Sequence, residues 1–114
     1  MMLIERLKTD GIEPEVTRPD ADMLVAGDPV HTTWNLDDDN GLYCGVWQST
    51  PGAWRTVYEE WEYIYVHEGR AVLEADDGTV VELAAGDSLV LRPGYSGVWR
   101  VLETLRKDYV ILFR

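Results

Sequence analysis

The residue best suited to chemistry is Glu62, which lies in a run of alternating side chains. Successive side chains of an extended strand point to opposite faces, so Glu62 shares one face with Ile64 and Val66. This aliphatic face is expected to form the protein interior and to carry the Glu62 carboxylate inwards. An enclosed carboxylate that meets a donor or a cation can transfer protons or bind a polar ligand. It can also be held by a purely structural hydrogen bond, and the residues leave both interpretations open.

The carboxylates of residues 37–39 and the thiol of Cys44 are weaker candidates. Calcium loops place their carboxylates at alternate positions, whereas these three Asp are adjacent. The Asn40-Gly41 pair that follows favours a solvated hairpin turn. Cys44 is the only cysteine, so it cannot form an intramolecular disulfide, and we expect it to be buried in a strand without an activated thiolate.

The composition narrows the classes of partner. With 114 residues the chain is long enough for one domain with a single core. Its 21 acidic and 10 basic side chains give a formal charge of −11, which argues against nucleic acid and anionic membranes, because both are bound through basic patches. No apolar run is long enough for a signal peptide or a membrane span. We therefore expect a cytoplasmic protein.

The elements that must position Glu62 are short strands separated by glycine-containing pairs. The strands are rich in β-branched and aromatic residues and are too short for helices. They cover residues 63–66, 71–73, 80–83 and 89–91. The pairs Glu68-Gly69, Asp77-Gly78 and Gly86-Asp87 are expected to reverse the chain, since glycine adopts positive φ and Asp can bond its own backbone. Strands at this even spacing predict an antiparallel sandwich or barrel.

The remaining strands complete an all-β domain over residues 31–114. They are predicted at residues 32–36, 42–48, 54–58, 98–102 and 109–113, with residues 103–108 as the last connection. The barrel is expected to be closed or nearly closed, which hides strand edges. Its predicted core includes Ile64, Val66, Leu73, Leu83, Leu91 and Val101.

Residues 1–30 are expected to form an irregular arm that packs on the barrel or on a partner subunit. Pro14, Pro19 and Pro29 exclude a long helix there. One short turn is predicted within residues 1–7 and one short strand at residues 23–26.

Several short segments between residues 45 and 113 occur in a recognisable order. They are Pro51-Gly52, Trp61-Glu62, Tyr65-Val66-His67-Glu68-Gly69, Asp77-Gly78, Ala85-Gly86-Asp87, Pro93-Gly94, Trp99 and Arg106-Lys107-Asp108-Tyr109. In this order and spacing they resemble the small single-domain cupins, in particular the subfamily grouped with ethanolamine-utilisation and ureidoglycine-aminohydrolase cupins. The resemblance implies an RmlC-like jelly-roll barrel, or double-stranded β-helix, that is usually dimeric and has a ligand cavity at one mouth.

The resemblance fails at the metal-binding histidines. The first cupin motif has two His separated by one residue, then a Glu three or four residues on, then a Gly after six more. Glu62 and Gly69 fit the last two positions, but the His positions fall on Thr56 and Tyr58. With the longer spacer they fall on residues 55 and 57, and the His of the second motif falls on Gly97.

We therefore expect neither a transition metal nor another cofactor. Metals in such barrels are held by three imidazoles and one carboxylate. His67 lies five residues after Glu62 and should face the opposite side of the sheet, and His31 with Glu62 alone would make a poor site. The metal-dependent oxygenases and aminohydrolases of the family are therefore poor guides to function.

The resemblance adds Lys107 to the candidate site, because it lies in a matching stretch before the last predicted strand. A Lys that meets an inward Glu can bind a substrate carboxylate, act as a base or form a Schiff base. Alternatively, Lys107 is an ordinary surface residue of a charged turn. Tyr58 and Thr56 would line the mouth with hydroxyl groups, and Trp54 and Trp99 would supply flat apolar walls. We predict proton transfer by Glu62, Lys107 and Tyr58, and binding of a small sugar or organic acid by Thr56, Trp54 and Trp99.

Three functions remain open at this point. The first is a metal-independent isomerase, epimerase or lyase, and the second is a non-enzymatic, dimeric ligand-sensing or scaffold module, because no nucleophile–base–orienter set is recognisable. A degenerate metalloenzyme is a third alternative.

Trp61, Tyr63 and Tyr65, on the opposite face of the Glu62 strand, are expected at a homodimer interface.

Overall fold

Nine β-strands account for most of the chain. The computed structural model describes residues 3–113. The strands are β1 (Glu15–Thr17), β2 (Leu24–Gly27), β3 (His31–Asp39), β4 (Leu42–Ser49), β5 (Gly52–Val57), β6 (Trp61–Ala75), β7 (Val80–Ala84), β8 (Ser88–Leu91) and β9 (Ser96–Leu112). Residues 3–113 contain no helix, and therefore none long and apolar enough to cross a membrane. The all-β prediction is confirmed.

The two longest strands, β6 and β9, form the spine of the fold. They pair with each other along nearly their whole length. Beyond β6 lie β8 and β7, and beyond β9 lie β4 and β5, which gives one half-sheet in the order β8-β6-β9-β4-β3-β1 and another in the order β7-β6-β9-β5-β2. All pairs are antiparallel. No hydrogen-bonded ladder joins the outer strands of the described chain, so the barrel is a curled sheet with open edges.

The chain bends where β6 and β9 change register. The pairing shifts three times between Val66 and Ala71, and such bulges bend a strand and increase its twist. The half-sheets can therefore pack their inner faces together around one core. All six residues predicted for this core are buried: Ile64, Val66, Leu73, Leu83, Leu91 and Val101.

The Glu68-Gly69 pair does not reverse the chain, contrary to the prediction. Residues 63–66 and 71–73 belong to one continuous strand, β6. Gly69 has a φ of 92° and lies in the bulged stretch. A glycine with positive φ fits a bulge as well as a turn, so the sequence signal was real but its interpretation was wrong.

The predicted connection at residues 103–108 is also part of a strand. Residues 98–102 and 109–113 were expected as separate strands, but β9 runs unbroken from Ser96 to Leu112. Glu103 pairs with Arg70 of β6, and Leu105 is completely buried. The charged residues of this segment hid an alternating pattern in which Leu105, Lys107 and Tyr109 face inwards.

The tight turns were predicted more accurately. Asn40 and Gly41 have φ values of 48° and 84°, the combination that two-residue hairpin turns require. The carboxylates of residues 37–39 belong to β3 and not to this turn. At Asp77-Gly78 the Asp77 side chain accepts a hydrogen bond from the Thr79 N–H at 2.9 Å, and the strands reverse there as expected.

The N-terminal arm contains more regular structure than expected. The strand predicted at residues 23–26 is present as β2 and pairs with β5, and the unpredicted β1 pairs with β3. The arm therefore extends both half-sheets. The turn predicted within residues 1–7 lies partly outside the described residues, and Leu7 shares a surface pocket with Leu36 and Val46.

Candidate functional site

A cavity of about 290 Å³ opens between the inner faces of the half-sheets. Strands β3, β4, β5, β6 and β9 and the connection between β5 and β6 contribute its walls. The lining residues are His31, Thr33, Trp47, Trp54, Thr56, Tyr58, Glu60, Glu62, Trp99, Lys107, Tyr109 and Ile111. All six residues predicted for the site are among them, and their roles in catalysis or binding stay predictions.

Glu62 lies on the inner face of β6, as strand parity predicts. Its side chain is 5% exposed. One carboxylate oxygen, Oε2, accepts a hydrogen bond from Lys107 Nζ at 3.1 Å, and the other, Oε1, accepts one from the Tyr58 hydroxyl at 2.7 Å. The enclosed carboxylate is therefore compensated by one cation and one neutral donor.

Lys107 reaches Glu62 from the inner face of the neighbouring strand β9. It is not a surface residue of a charged turn but lies within the strand, directly opposite Trp47 of β4 and Val66 of β6. Its Nζ lies 4.7 Å from the ring centroid of Trp47 and 4.8 Å from that of Trp99. Contacts of this kind attract an ammonium group to the ring face, so the two indoles and the Glu62 carboxylate together fix the position of the Lys107 side chain.

Tyr58 connects the ion pair to the mouth of the cavity. Its backbone N–H donates to the Tyr95 carbonyl at 2.8 Å, which fixes the connection after β5. Its hydroxyl donates to Glu62 and accepts a hydrogen bond from Trp99 Nε1 at 3.3 Å. Burial, and then the negative charge of Glu62, raise the pKa of Tyr58 well above its ordinary value. The phenol therefore stays protonated and acts as a donor.

The predicted ligand-binding residues lie on neighbouring strands. Trp54 of β5 and Trp99 of β9 are cross-strand partners with nearly parallel rings, whose centroids lie 6.3 Å apart at an interplanar angle of 5°. Thr56 follows on the same face of β5, opposite Gly97. The site thus has an aromatic wall with a hydroxyl group beside it.

His31 and Trp47 also line the cavity, although neither was predicted as a site residue. His31 begins β3, and its ring contacts those of Trp47 and Trp54, with centroids 5.0 and 4.4 Å away. Burial, and then the charge of Lys107, lower the pKa of His31 from 6.5 to about 4. The predicted strand began at residue 32, whereas in the structure His31 is its first residue and shares a face with Thr33, which also lines the cavity.

Tyr109 is a further residue of the cavity that was not predicted. Its hydroxyl donates to the Asn35 side chain at 2.7 Å. Burial raises its pKa to about 12, with smaller contributions from the charges of Cys44 and Glu62. Tyr109 is therefore neutral at physiological pH.

His67 and Cys44 lie away from the cavity. His67 is on the outer face of β6, as parity predicts, and forms an ion pair with Asp108 at 2.9 Å when it is protonated. Cys44 is in β4, as predicted, but is half-buried and not fully buried. Burial, followed by the charges of Asp37 and Asp108, raises the pKa of its thiol, so it is not activated.

The residues present do not fit the three-His, one-Glu metal site of cupin barrels. Thr56 and Tyr58 occupy two of the His positions, and Glu62 already contacts Lys107 and Tyr58. At the third position any side chain on Gly97 would collide with the Glu74 carbonyl oxygen. Residues 3–113 hold no group of three or more His, Cys, Asp or Glu arranged for a metal ion.

Comparison with known proteins agrees with this fold. The sequence model of the EutQ-like cupin domain family matches residues 36–109. A protein of unknown function from Pseudomonas syringae pv. tomato superposes with a TM-score of 0.79 at 27% identity, covering 88% of this chain and 43% of that one. The chain thus spans less than half of that protein. No protein with a curated description matches the sequence.

Two further solved structures are similar in fold at lower identity. The EutQ protein of Clostridium difficile has a TM-score of 0.68 at 22% identity, with 75% of this chain and 64% of that one covered. The polyketide cyclase RemF from Streptomyces resistomycificus has a TM-score of 0.70 at 19% identity, with 98% and 81% covered. Since the family match spans more than half of the chain and the fold agrees with it, this protein belongs to the EutQ-like cupin domain family.

Proposed function

We propose that the cavity binds a small polar molecule and that Glu62, Lys107 and Tyr58 move a proton on it without a metal ion. The reaction class is isomerisation, epimerisation or elimination, and the substrate class is a sugar or an organic acid. The observation that carries the proposal is the enclosed Tyr58–Glu62–Lys107 network beside indole walls in a cavity that opens to solvent. Titratable groups that contact one another in a cleft are a common feature of catalytic sites.

The network has the parts that proton transfer needs. A carboxylate that accepts a proton from a substrate C–H group becomes neutral, and the Lys107 ammonium then stabilises the negative charge left on the substrate. The Tyr58 hydroxyl, 2.7 Å from the carboxylate, can donate a proton on the way back. Tyr58 then recovers its proton from the neutral Glu62, so an isomerisation or epimerisation leaves the network as it began. In an elimination the proton goes to the departing group instead, and none of these reactions needs an oxidant or a reductant.

A non-enzymatic ligand-sensing or scaffold role is the second candidate. It is favoured by the way the three polar groups already satisfy one another, because a fully hydrogen-bonded network can serve only to shape the cavity. The two candidates differ in what happens when Glu62 loses its charge. Ligand binding should survive this change in both cases. Only an enzyme has a turnover that the change would abolish.

Native mass spectrometry of protein purified without added ligand tests the proposal. We expect a small molecule bound to the wild-type chain and to Glu62→Gln, and loss of it from Trp54→Ala, which removes part of the cavity wall. Glu103→Gln, on the exposed side of β9, is the matched control and should behave as the wild type. Incubation of the released compound with wild type and Glu62→Gln then separates enzyme from sensor, because only the wild type should convert it.

Elemental analysis of the same preparation tests metal independence. We expect no stoichiometric Mn, Fe, Ni or Zn, because the residues at positions 56, 58 and 97 are not metal ligands of the cupin type. One equivalent of any of these metals would contradict the proposed mechanism.

A further inference from the structure

The cavity contains a buried polar atom for which the described chain offers no hydrogen-bond partner. This atom is Nε2 of His31. Buried polar groups are nearly always satisfied, and an unsatisfied one calls for a specific explanation. Since His31 lines the cavity beside Trp47 and Trp54, a bound ligand that shifts the side chains covering Nε2 can supply the missing partner.

The position of the His31 ring is fixed by its surroundings. The preceding residue, Val30, receives a hydrogen bond at its carbonyl from the Thr50 N–H and donates its own N–H to the Thr50 hydroxyl. The imidazole then packs against two indoles. A ring packed in this way has a fixed position, which is a condition for selective recognition.

The charges around the cavity disfavour an anionic ligand. Among the described residues that line it, the single cation, Lys107, is already paired with Glu62 at 3.1 Å. Burial and neighbouring charges keep His31, Tyr58 and Tyr109 uncharged near neutral pH. Glu60 at the rim then leaves the described cavity walls with a net negative charge, so a ligand carboxylate would meet repulsion and no free cation.

The remaining walls fit the two kinds of surface that a hydroxylated ring has. The indoles of Trp47 and Trp54 line the cavity and supply apolar surface for ring C–H groups. The hydroxyl groups of Thr33 and Thr56 line the same cavity as His31 and can bond a ring edge. The cavity volume of about 290 Å³ lies at the lower end of the range for small-molecule sites, which limits the ligand to about one ring.

We propose that the cavity selects an uncharged, hydroxylated ring of pyranose type over a carboxylate-bearing one, and that His31 is the ligand-contacting residue that hydrogen-bonds one of its hydroxyl groups through Nε2. The inference rests on the proposed function only in placing a ligand in this cavity. It adds His31 to the residues that contact the ligand, and it chooses between the sugar and the organic acid that the proposed function leaves open.

Nitrogen NMR of the imidazole rings tests the role of His31 directly. The chain has two His, and His67 on the outer face is an internal control. The probes are glucose, galactose and xylose, each compared with the matched uronate where one exists, glucuronate and galacturonate. We expect at least one neutral sugar to shift the Nε2 resonance of His31 without moving that of His67, and to bind about tenfold more tightly than its uronate.

Variants separate recognition from folding. His31→Phe keeps an aromatic ring against the indoles but has no polar atom, and it should weaken binding of the neutral sugar about tenfold. His31→Gln places an amide near the position of Nε2 and should restore part of that affinity. His67→Gln should bind like the wild type, and urea unfolding of each variant confirms that it is folded.

Each part of the inference has its own contrary result. Tighter binding of the uronates would overturn the ligand class while leaving the cavity as a binding site. Sugar binding that is unchanged in His31→Phe would overturn the role of His31. If none of the sugars binds while a different small molecule copurifies with the protein, the inference fails and the proposed function stands. If nothing copurifies either, both fail.

Discussion

At the scale of single residues, the ion pair between Glu62 and Lys107 dominates the interior. Both side chains are 5% exposed, and removing charges from water is costly unless each has a partner. Two indoles and the Tyr58 hydroxyl complete the environment. Such a pair is weak support for stability but a sensitive point, because the loss of one member leaves the other charge enclosed and uncompensated.

Breaking this pair should therefore destabilise the protein strongly. We expect Lys107→Met, which leaves the Glu62 carboxylate without its cation, to lower the free energy of unfolding by about 3–5 kcal/mol. The double variant Glu62→Gln/Lys107→Met should lose less than the sum of the two single variants, since neither charge remains. Urea unfolding measures each value.

A surface ion pair provides the control for that experiment. Arg55 and Asp76 interact at 2.8 Å, but their side chains are 44% and 50% exposed. Solvent screens such pairs, so Arg55→Gln should change stability far less than Lys107→Met. Equal losses for the two variants, or strict additivity in the double variant, would contradict the description of an enclosed, coupled pair.

His31 should make stability depend on pH. Its pKa is about 4 in the folded protein and 6.5 ordinarily, so the folded state binds this proton more weakly than the unfolded chain. The stability that neutral His31 contributes is complete above about pH 6.5 and is lost as the pH falls towards 4. Between about pH 7 and 4.5 we expect the wild type to lose about 1–2 kcal/mol more than His31→Phe, allowing for partial exposure of the ring.

The chain has 21 Asp and Glu side chains, so the pH dependence of the wild type alone would not identify the group responsible. The comparison with His31→Phe removes their contribution, because both chains share them. Parallel pH profiles for the two proteins would show that the imidazole is not shielded from protonation.

The sequence indicated some of these residues and missed others for definite reasons. Strand parity placed Glu62 inside, and counting along the cupin motif found Tyr58 and Thr56. Lys107 depended on the resemblance, because its neighbours Arg106 and Asp108 disguise the inward alternation of β9. His31 and Trp47 were missed because their contact with the site depends on how β3 and β4 register with β9, which local patterns do not contain.

At the scale of elements, the long strands β6 and β9 explain both the successes and the errors of prediction. The hydrophobic alternation and the turns at residues 40–41 and 77–78 are local, and they were identified correctly. The bulges of β6 are not local, because they require a partner strand. Glycine and charged residues in the middle of a long strand therefore resemble a loop until the pairing of the strand is known.

Gly69 offers a test of the bulge. Its φ is 92°, and a Cβ atom there would lie 2.8 Å from the Glu103 carbonyl oxygen and against that of Thr104. Gly69→Ala combines backbone strain with a backbone collision, so we expect it to destabilise the protein by more than about 2 kcal/mol. Thermal or urea unfolding measures the loss.

Gly78 is a matched control for Gly69. Its φ is 94°, almost the same, but no atom of the described chain beyond its immediate neighbours lies within 4 Å of the place that a Cβ atom would take at this exposed turn. Gly78→Ala should cost about 1–2 kcal/mol from strain alone. If the two variants were equally stable, the close approach of β9 to the Gly69 bulge would be refuted.

At the scale of the whole molecule, the two half-sheets differ in what their outer faces offer. The face that carries Trp61, Tyr63 and Tyr65 on β6 continues across β9, where Leu112 and Val110 lie opposite Trp61 and Tyr63. Val90 of β8 extends it on the other side of Tyr63. Contiguous aromatic and aliphatic surface of this kind is typical of protein interfaces.

We expect this outer face to join two copies of the chain in a homodimer. Each copy carries a formal charge of −11, so association must overcome repulsion that salt screens. Sedimentation should therefore give a dimer at micromolar concentration that becomes tighter as the salt concentration rises.

Tyr63→Glu, which adds a charge within the face, should give a monomer. Val80→Glu changes a residue of β7 that is 61% exposed in the other half-sheet, and it should remain dimeric. A wild-type monomer at micromolar concentration, or equal effects of the two variants, would show that the aromatic face of β6 is not the interface.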